Sequence, residues 1–140
     1  MKLIKILLIE DNEGDILLTR EALQDSKITN TVNVIRDGEA AIDFFSNLVN
    51  KEELPDLILL DINLPKKSGH EVLVYLKNNE KYKRIPVIIL TTSSSERDIT
   101  LSYKNYANCF ITKPMDVTEF MHVIIKIEEF WFNIVTLSKK

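Results

Sequence analysis

Five short apolar runs, each followed by a helical pattern, most constrain what this chain can fold into. They are KILLI (Lys5–Ile9), TVNVI (Thr31–Ile35), LILL (Leu57–Leu60), VIIL (Val87–Leu90) and the weaker CFI (Cys109–Ile111). Continuous aliphatic runs of this length suit strands covered on both faces, the signature of a parallel sheet. Between them apolar residues recur at helical spacing: Ile16, Leu17 and Leu23; Ala40, Ala41, Phe44, Phe45 and Leu48; Val72, Leu73 and Leu76; Ile99 and Tyr103. A last helix runs from about Val117 towards Phe132. Strand then helix, five times over, predicts an α/β fold with right-handed crossovers. In such sheets a ligand site lies outside the carboxyl ends of the strands.

Those ends carry chemistry. Glu10 and Asp11 follow the first run, Asp61 and then Asn63 the third, Thr91 and Ser93 the fourth, and Lys113–Pro114 the fifth. Taken singly, each has a plain structural reading as a helix cap, a turn residue or a surface lysine. Together they put three carboxylates, a hydroxyl and an ammonium on one rim. Converging carboxylates repel unless a cation or proton sits between them. Hard oxygen ligands favour Mg2+, which takes one or two protein carboxylates and keeps several waters. A remaining carboxylate is free to act as a nucleophile towards phosphorus. Lys113 and Thr91 are then the candidates to meet the phosphoryl oxygens.

With these residues in this order, nearly the whole chain resembles the receiver domains of two-component response regulators. The resemblance implies a flavodoxin-like (βα)5 doubly wound parallel sheet of strand order 2-1-3-4-5, with an extended C-terminal helix or tail. It implies that Asp61 accepts a phosphoryl group from a phosphohistidine on a sensor histidine kinase. Asp11 and Asp61 would bind Mg2+ through carboxylates, Asn63 through its backbone carbonyl and Glu10 mainly through water. Lys113 would pair with the phosphate, and the Lys113–Pro114 peptide would be cis. A switch is implied at Thr91, with the aromatic Phe110 rotating to follow; plain core packing is the competing reading of Phe110. The segments LIEDNEGDILLTREAL, TTSSSERDI and EEFWFNIVTL resemble the small single-domain regulators that partner phytochrome kinases. Two residues depart from that pattern. Glu13 stands where the subgroup often has proline, and Tyr106 where many receivers end the fourth helix with glycine, which leaves Asn105 as the nearest residue tolerant of a left-handed cap.

Composition narrows the partners. The 140 residues are 45% hydrophobic and 28% charged with a formal net charge of −3, so no basic footprint for nucleic acid is present. The ILLI run is too short for a membrane span or signal core. One cysteine, Cys109, fits a reducing compartment and reads as a buried structural thiol. The expectation is a cytoplasmic protein with residues 1–140 as one receiver domain, 130–140 as an extension and no separate output domain. It is a switch with self-assisted phosphoryl transfer and autodephosphorylation, not a turnover enzyme. The alternatives are a pseudo-receiver that signals without phosphate and an aspartyl-phosphate phosphatase. The phosphatase wants a second carboxylate two residues after the nucleophile, where this chain has Asn63. A flavodoxin-like carrier is disfavoured because Glu10, Asp11, Glu13 and Asp15 would repel a flavin phosphate.

The final helix spreads its apolar residues much more widely than the roughly 100° of a single core-facing stripe. Phe120, Ile124, Ile127, Trp131 and Ile134 form one stripe, widened by Met121, Ile125 and Phe132. A homodimer through the fourth and fifth helices and the tail is expected, with Phe130, Trp131 and Phe132 at the interface; the alternative is a tail that folds back on its own domain. His122 and His70 are both expected to be exposed.

Overall fold

The protein is described here by a computed structural model covering residues 3–24, 30–114 and 116–134, the last three of these by backbone alone. The strands are β1 (Ile4–Ile9), β2 (Asn30–Ile35), β3 (Leu57–Leu60), β4 (Val87–Thr91) and β5 (Cys109–Thr112). The helices are α1 (Glu13–Gln24), α2 (Gly38–Ser46), α3 (Gly69–Lys77), α4 (Glu96–Lys104) and α5 (Val117–Glu128). All strand pairs are parallel, in the order β2-β1-β3-β4-β5. This is the predicted doubly wound fold, and the apolar runs explain it. Alternate residues of one strand enter opposite cores. Leu7, Ile9, Ile58, Leu60, Val87 and Ile89 pack under α2 and α3 with Phe45, Leu73 and Leu76. Ile6, Leu8, Leu57, Leu59, Ile88 and Leu90 pack under α1 and α5 with Ile16, Leu23, Phe120 and Ile124. The edge strands β2 and β5 are only half-buried, which accounts for their weaker apolar patterns.

The last helix departs from a simple continuation. The α-helical stretch stops at Glu128, and Glu129–Ile134 follows as a wider π-helical turn. Phe120, Ile124 and Ile127 form the buried stripe, with Trp131 packed against it. Val117, Ile125 and Phe130 are exposed, and His122 is exposed as expected. The side chain of Phe132, the third expected interface residue, and residues 135–140 lie outside the described residues.

Three expectations are corrected. The Lys113–Pro114 peptide is trans, since no cis peptide bond occurs among the described residues. The trans form is the intrinsically preferred one even before proline, and Lys113 reaches its partners from it. The left-handed residue after α4 is Tyr106, with φ 68°, and not Asn105. The helix ends in a Schellman motif in which Ala107 N–H donates to Ser102 O and Tyr106 N–H to Tyr103 O, both at 3.0 Å. The place of the usual glycine is thus occupied by a residue that bears the steric cost. His70 is half-buried and hydrogen-bonded to Asp98, not an exposed first-turn residue.

Candidate functional site

Strand ladders that run one residue beyond the strands build the site. Glu10 N–H donates to Ile35 O at 3.0 Å, Asp61 N–H to Ile9 O at 3.0 Å and Lys113 N–H to Thr91 O at 2.7 Å. Each polar residue is therefore fixed in the sheet's hydrogen-bond lattice while its side chain faces the rim. Because all strands are parallel, those rim positions share one edge. Glu10, Asp61, Thr91 and Lys113 are all buried, none more than 7% exposed. Asp11 is exposed at the mouth. Carboxylate oxygens of Glu10, Asp11 and Asp61 lie within 4.8 Å of one another.

Lys113 Nζ is the cation of this cluster. It donates to Glu10 Oε1, to Asp15 Oδ2 at 2.8 Å and to Asp61 Oδ2 at 3.1 Å. Burial alone would lower its pKa, but the bonds to Asp15 and Glu10 and the charge of Asp61 raise it above the ordinary lysine value. It stays an ammonium at any physiological pH. Burial likewise pushes Glu10 up to about 7, the Lys113 bond opposing and neighbouring Asp61 adding to the rise. For Asp61 burial acts upward too, yet hydrogen bonds from Thr91 and Glu10 and the charge of Lys113 hold its pKa below the ordinary 3.8. Asp61 is thus kept ionised. Asn63 N–H also donates to Asp61 Oδ1 at 3.2 Å, and Glu10 Oε2 takes the N–H groups of Asp11 and Asn12.

The arrangement holds an anionic nucleophile beside one cation, with more carboxylate charge than Lys113 neutralises. A divalent cation fits that donor set: hard oxygens, two buried carboxylates and one at the open mouth.

Every residue expected at the rim is there. Thr91 is wholly buried against Asp61, and its Oγ1 accepts Ser93 N–H at 3.4 Å. Ser93 Oγ itself points to Asp98 Oδ2, 2.6 Å away. Phe110 is half-buried against the α2/α3 core, and its N–H donates to Tyr103 Oη at 3.0 Å. Asp15 was missed as a partner of Lys113. Its signal was present, an acid four residues after Asp11 in the first turn of α1, where Asn12 Oδ1 accepts its N–H at 2.9 Å.

A sequence model of the response regulator receiver domain matches residues 6–125. The chain belongs to the response regulator receiver family. This receiver is 44% identical over 134 residues to response regulator Rcp1 of Synechocystis sp., covering 94% of this chain and 91% of that one. It is 37% identical over 129 residues to the probable methanogenesis regulatory protein FilR2 of Methanothrix harundinacea, covering 91% and 83% respectively. Among solved structures it is similar to the phosphorylated cyanobacterial phytochrome response regulator RcpA, with a TM-score of 0.92 and 43% identity over 99% of this chain and all of that one. The Mn2+-bound form of Rcp1 matches with a TM-score of 0.91 and 43% identity, covering 97% of this chain and 99% of that one. The receiver therefore sits close to phytochrome response regulators, in a family whose function is phosphorylation-dependent signalling and whose domains bind a divalent metal. Receivers of this family work with histidine kinases and are generally not enzymes. Among the described residues no helix is long and apolar enough to cross a membrane.

Proposed function

We propose that this receiver is a stand-alone response regulator that accepts a phosphoryl group on Asp61 from a phytochrome-type sensor histidine kinase. The observation that carries the reading is a buried carboxylate kept ionised by Lys113 and Thr91 beside two further carboxylates. In the transfer an Asp61 oxygen bonds to phosphorus while the bond from phosphorus to the kinase histidine nitrogen breaks, its electron pair returning to the imidazole. Glu10, Asp11, Asp61 and the backbone carbonyl of Asn63 would hold Mg2+. When bound, the metal offsets charge on the phosphoryl oxygens and the carboxylates. Lys113 is already aimed at Asp61 Oδ2 and needs no travel to meet a phosphoryl oxygen. Thr91 would give its hydroxyl to another, and Phe110 would follow it as the second part of the switch.

Hydrolysis of the acyl phosphate is self-assisted, and the protein is a switch and not a turnover enzyme. Residues 1–140 act as one receiver domain in the cytoplasm, and the 130–140 extension helps to pair two copies. That homodimer uses α4, α5 and the tail, with Phe130, Trp131 and Phe132 at the interface. Half of the Phe130 surface is exposed while its neighbour Trp131 is anchored to the core, which supports an outward-facing aromatic. Deleting residues 130–140 is expected to halve the mass measured in solution; an unchanged dimer would refute this interface.

The acceptor is tested by incubation with Mg2+ and acetyl phosphate followed by intact mass. A gain of one phosphoryl group, absent in Asp61→Asn, is expected. No gain in the unaltered protein would overturn the reading and leave a receiver that signals without phosphate.

A further inference from the structure

A polar chain outside the carboxylate cluster links the two helices that flank the acceptor. On one side the start of α3 is pinned to the acceptor strand. Gly69 N–H donates to Ile62 O at 2.8 Å, and a Cβ on Gly69 would lie 2.1 Å from the carbonyl oxygen of Asp61. His70, the next residue, therefore has little freedom to move relative to Asp61. Its Nε2 lies 3.0 Å from Asp98 Oδ1, in the first turn of α4. The other oxygen of Asp98 accepts Ser93 Oγ at 2.6 Å, and Ser93 N–H donates to Thr91 Oγ1. Thr91 closes the ring at Asp61. The Nδ1 atom of His70 is buried and has no hydrogen-bond partner among the described residues. A buried, unpaired ring nitrogen is costly, and the hydrogen bond from the other ring nitrogen to Asp98 offsets part of that cost. Neither histidine nor aspartate touches the reacting atoms.

We propose that His70 and Asp98 are positioning residues whose contact holds Ser93 and Thr91 in place beside Asp61 and thereby sets the lifetime of the phosphoryl group; the proposal rests on Asp61 as acceptor. In the hydrolysis that ends that lifetime, the oxygen of a water molecule bonds to phosphorus. The bond from phosphorus to the Asp61 oxygen breaks, its electron pair returns to the carboxylate, and the water's protons leave on the inorganic phosphate. Asp98 turns the Ser93 hydroxyl towards α4, and His70 ties Asp98 to the helix that does not move against Asp61. With the tie cut, the segment from Thr92 to Ser95 is freer, and water reaches the phosphorus more readily. The link also runs outward, because a loop that shifts with the phosphoryl group must pull on Asp98 and so on α4.

The test is the decay of phosphoprotein, loaded with Mg2+ and acetyl phosphate, in His70→Phe, Asp98→Ala, the double variant and His70→Gln. Each of the first two is expected to shorten the lifetime about three- to tenfold, the scale of one lost hydrogen bond. The double variant is expected to match the larger single effect, because both changes cut one link. Gln, whose amide nitrogen reaches the Nε2 position, is expected to restore the original lifetime. Lifetimes within twofold of the unaltered protein, effects that multiply, or failure of Gln to restore would overturn the proposal. Amide exchange at Ser93 in the unphosphorylated protein separates this from the acceptor reading. Should Asp61 take no phosphate, faster exchange in His70→Phe still supports the tie, and unchanged exchange refutes it.

Discussion

Helices α3 and α4 are matched in length, nine residues each, and in their ends, yet they are held in opposite ways. Both begin at a capping serine, Ser68 or Ser95, whose hydroxyl accepts the third helical N–H, and both reach an asparagine at the C-cap. From there they diverge. Helix α3 buries Gly69, Val72, Leu73 and Leu76 against the sheet, whereas Ser102 is the one buried residue of α4, its hydroxyl bonded to the Asp98 carbonyl. An apolar seam of that kind stabilises by roughly 1.5–3 kcal/mol for each large side chain buried. The ties of α4 are polar: Asp98 to His70 and Ser93, and Tyr103 Oη to the Phe110 amide. Hydrogen bonds of this sort exchange readily for water and contribute about 1 kcal/mol each. One flank of the acceptor is thus built as a fixed wall, the other as an element that small forces can shift.

The sharpest way to break the comparison is to weaken the wall. Leu73→Ala is expected to cost about 2–5 kcal/mol in chemical denaturation, the range for emptying a fully buried aliphatic site. Gly69→Ala meets backbone at 2.1 Å and is expected to cost about 3 kcal/mol. A loss under 1 kcal/mol in both would mean that α3 is no better anchored than α4. At the end of α4, Tyr106→Gly removes the left-handed penalty and is expected to stabilise by about 1 kcal/mol. Loss of stability there would show that the Tyr106 side chain does more than the backbone requires. Leu101→Ala, on the half-buried face of α4, is expected to stay within about 1 kcal/mol of the unaltered protein.

A slope with pH is expected as well, and it belongs to the rim between the two helices. Glu10 has a folded pKa of about 7 against an ordinary 4.5, so folding favours its protonated form. Its contribution to stability is full below about pH 4.5 and is lost as pH rises through 7. Asp61 acts oppositely and in a different window, its contribution being present above 3.8 and lost as pH falls further. Without metal, the denaturation midpoint is therefore expected to fall between pH 5 and 8, less so in Glu10→Gln. Added Mg2+ favours ionised Glu10 and is expected to flatten the slope in the same way. An identical slope in Glu10→Gln would assign it to other groups.

What was legible in the sequence follows the same division. The fixed parts announced themselves: LILL and VIIL could be buried only in a two-sided sheet, and Asp61, Thr91 and Lys113 had to fall on its rim. Positions one residue past a strand are set by the ladder, so counting along the chain was enough. The movable flank was far less visible. His70 and Asp98 are 28 residues apart and meet only because α3 and α4 pack side by side. Asp15 was read only as one of the acids that would repel a flavin phosphate, and its bond to Lys113 spans 98 residues. Polar contacts of this kind carry no periodicity, unlike apolar faces. Tyr106 was read as a departure, but the tolerance of the adjacent Asn105 for left-handed geometry outweighed the demand of the Schellman hydrogen bonds, which select Tyr106.

The central claim, that a phosphoryl group on Asp61 is read out through α4 while α3 stays fixed, is tested most directly by amide hydrogen exchange. The protein with Mg2+ is compared before and after phosphorylation by acetyl phosphate, with Asp61→Asn as control. Exchange is expected to change along 92–104 and to stay constant along 69–77 in the unaltered protein, with neither segment changing in the control. Equal changes in both helices, or a change confined to α3, would contradict the account.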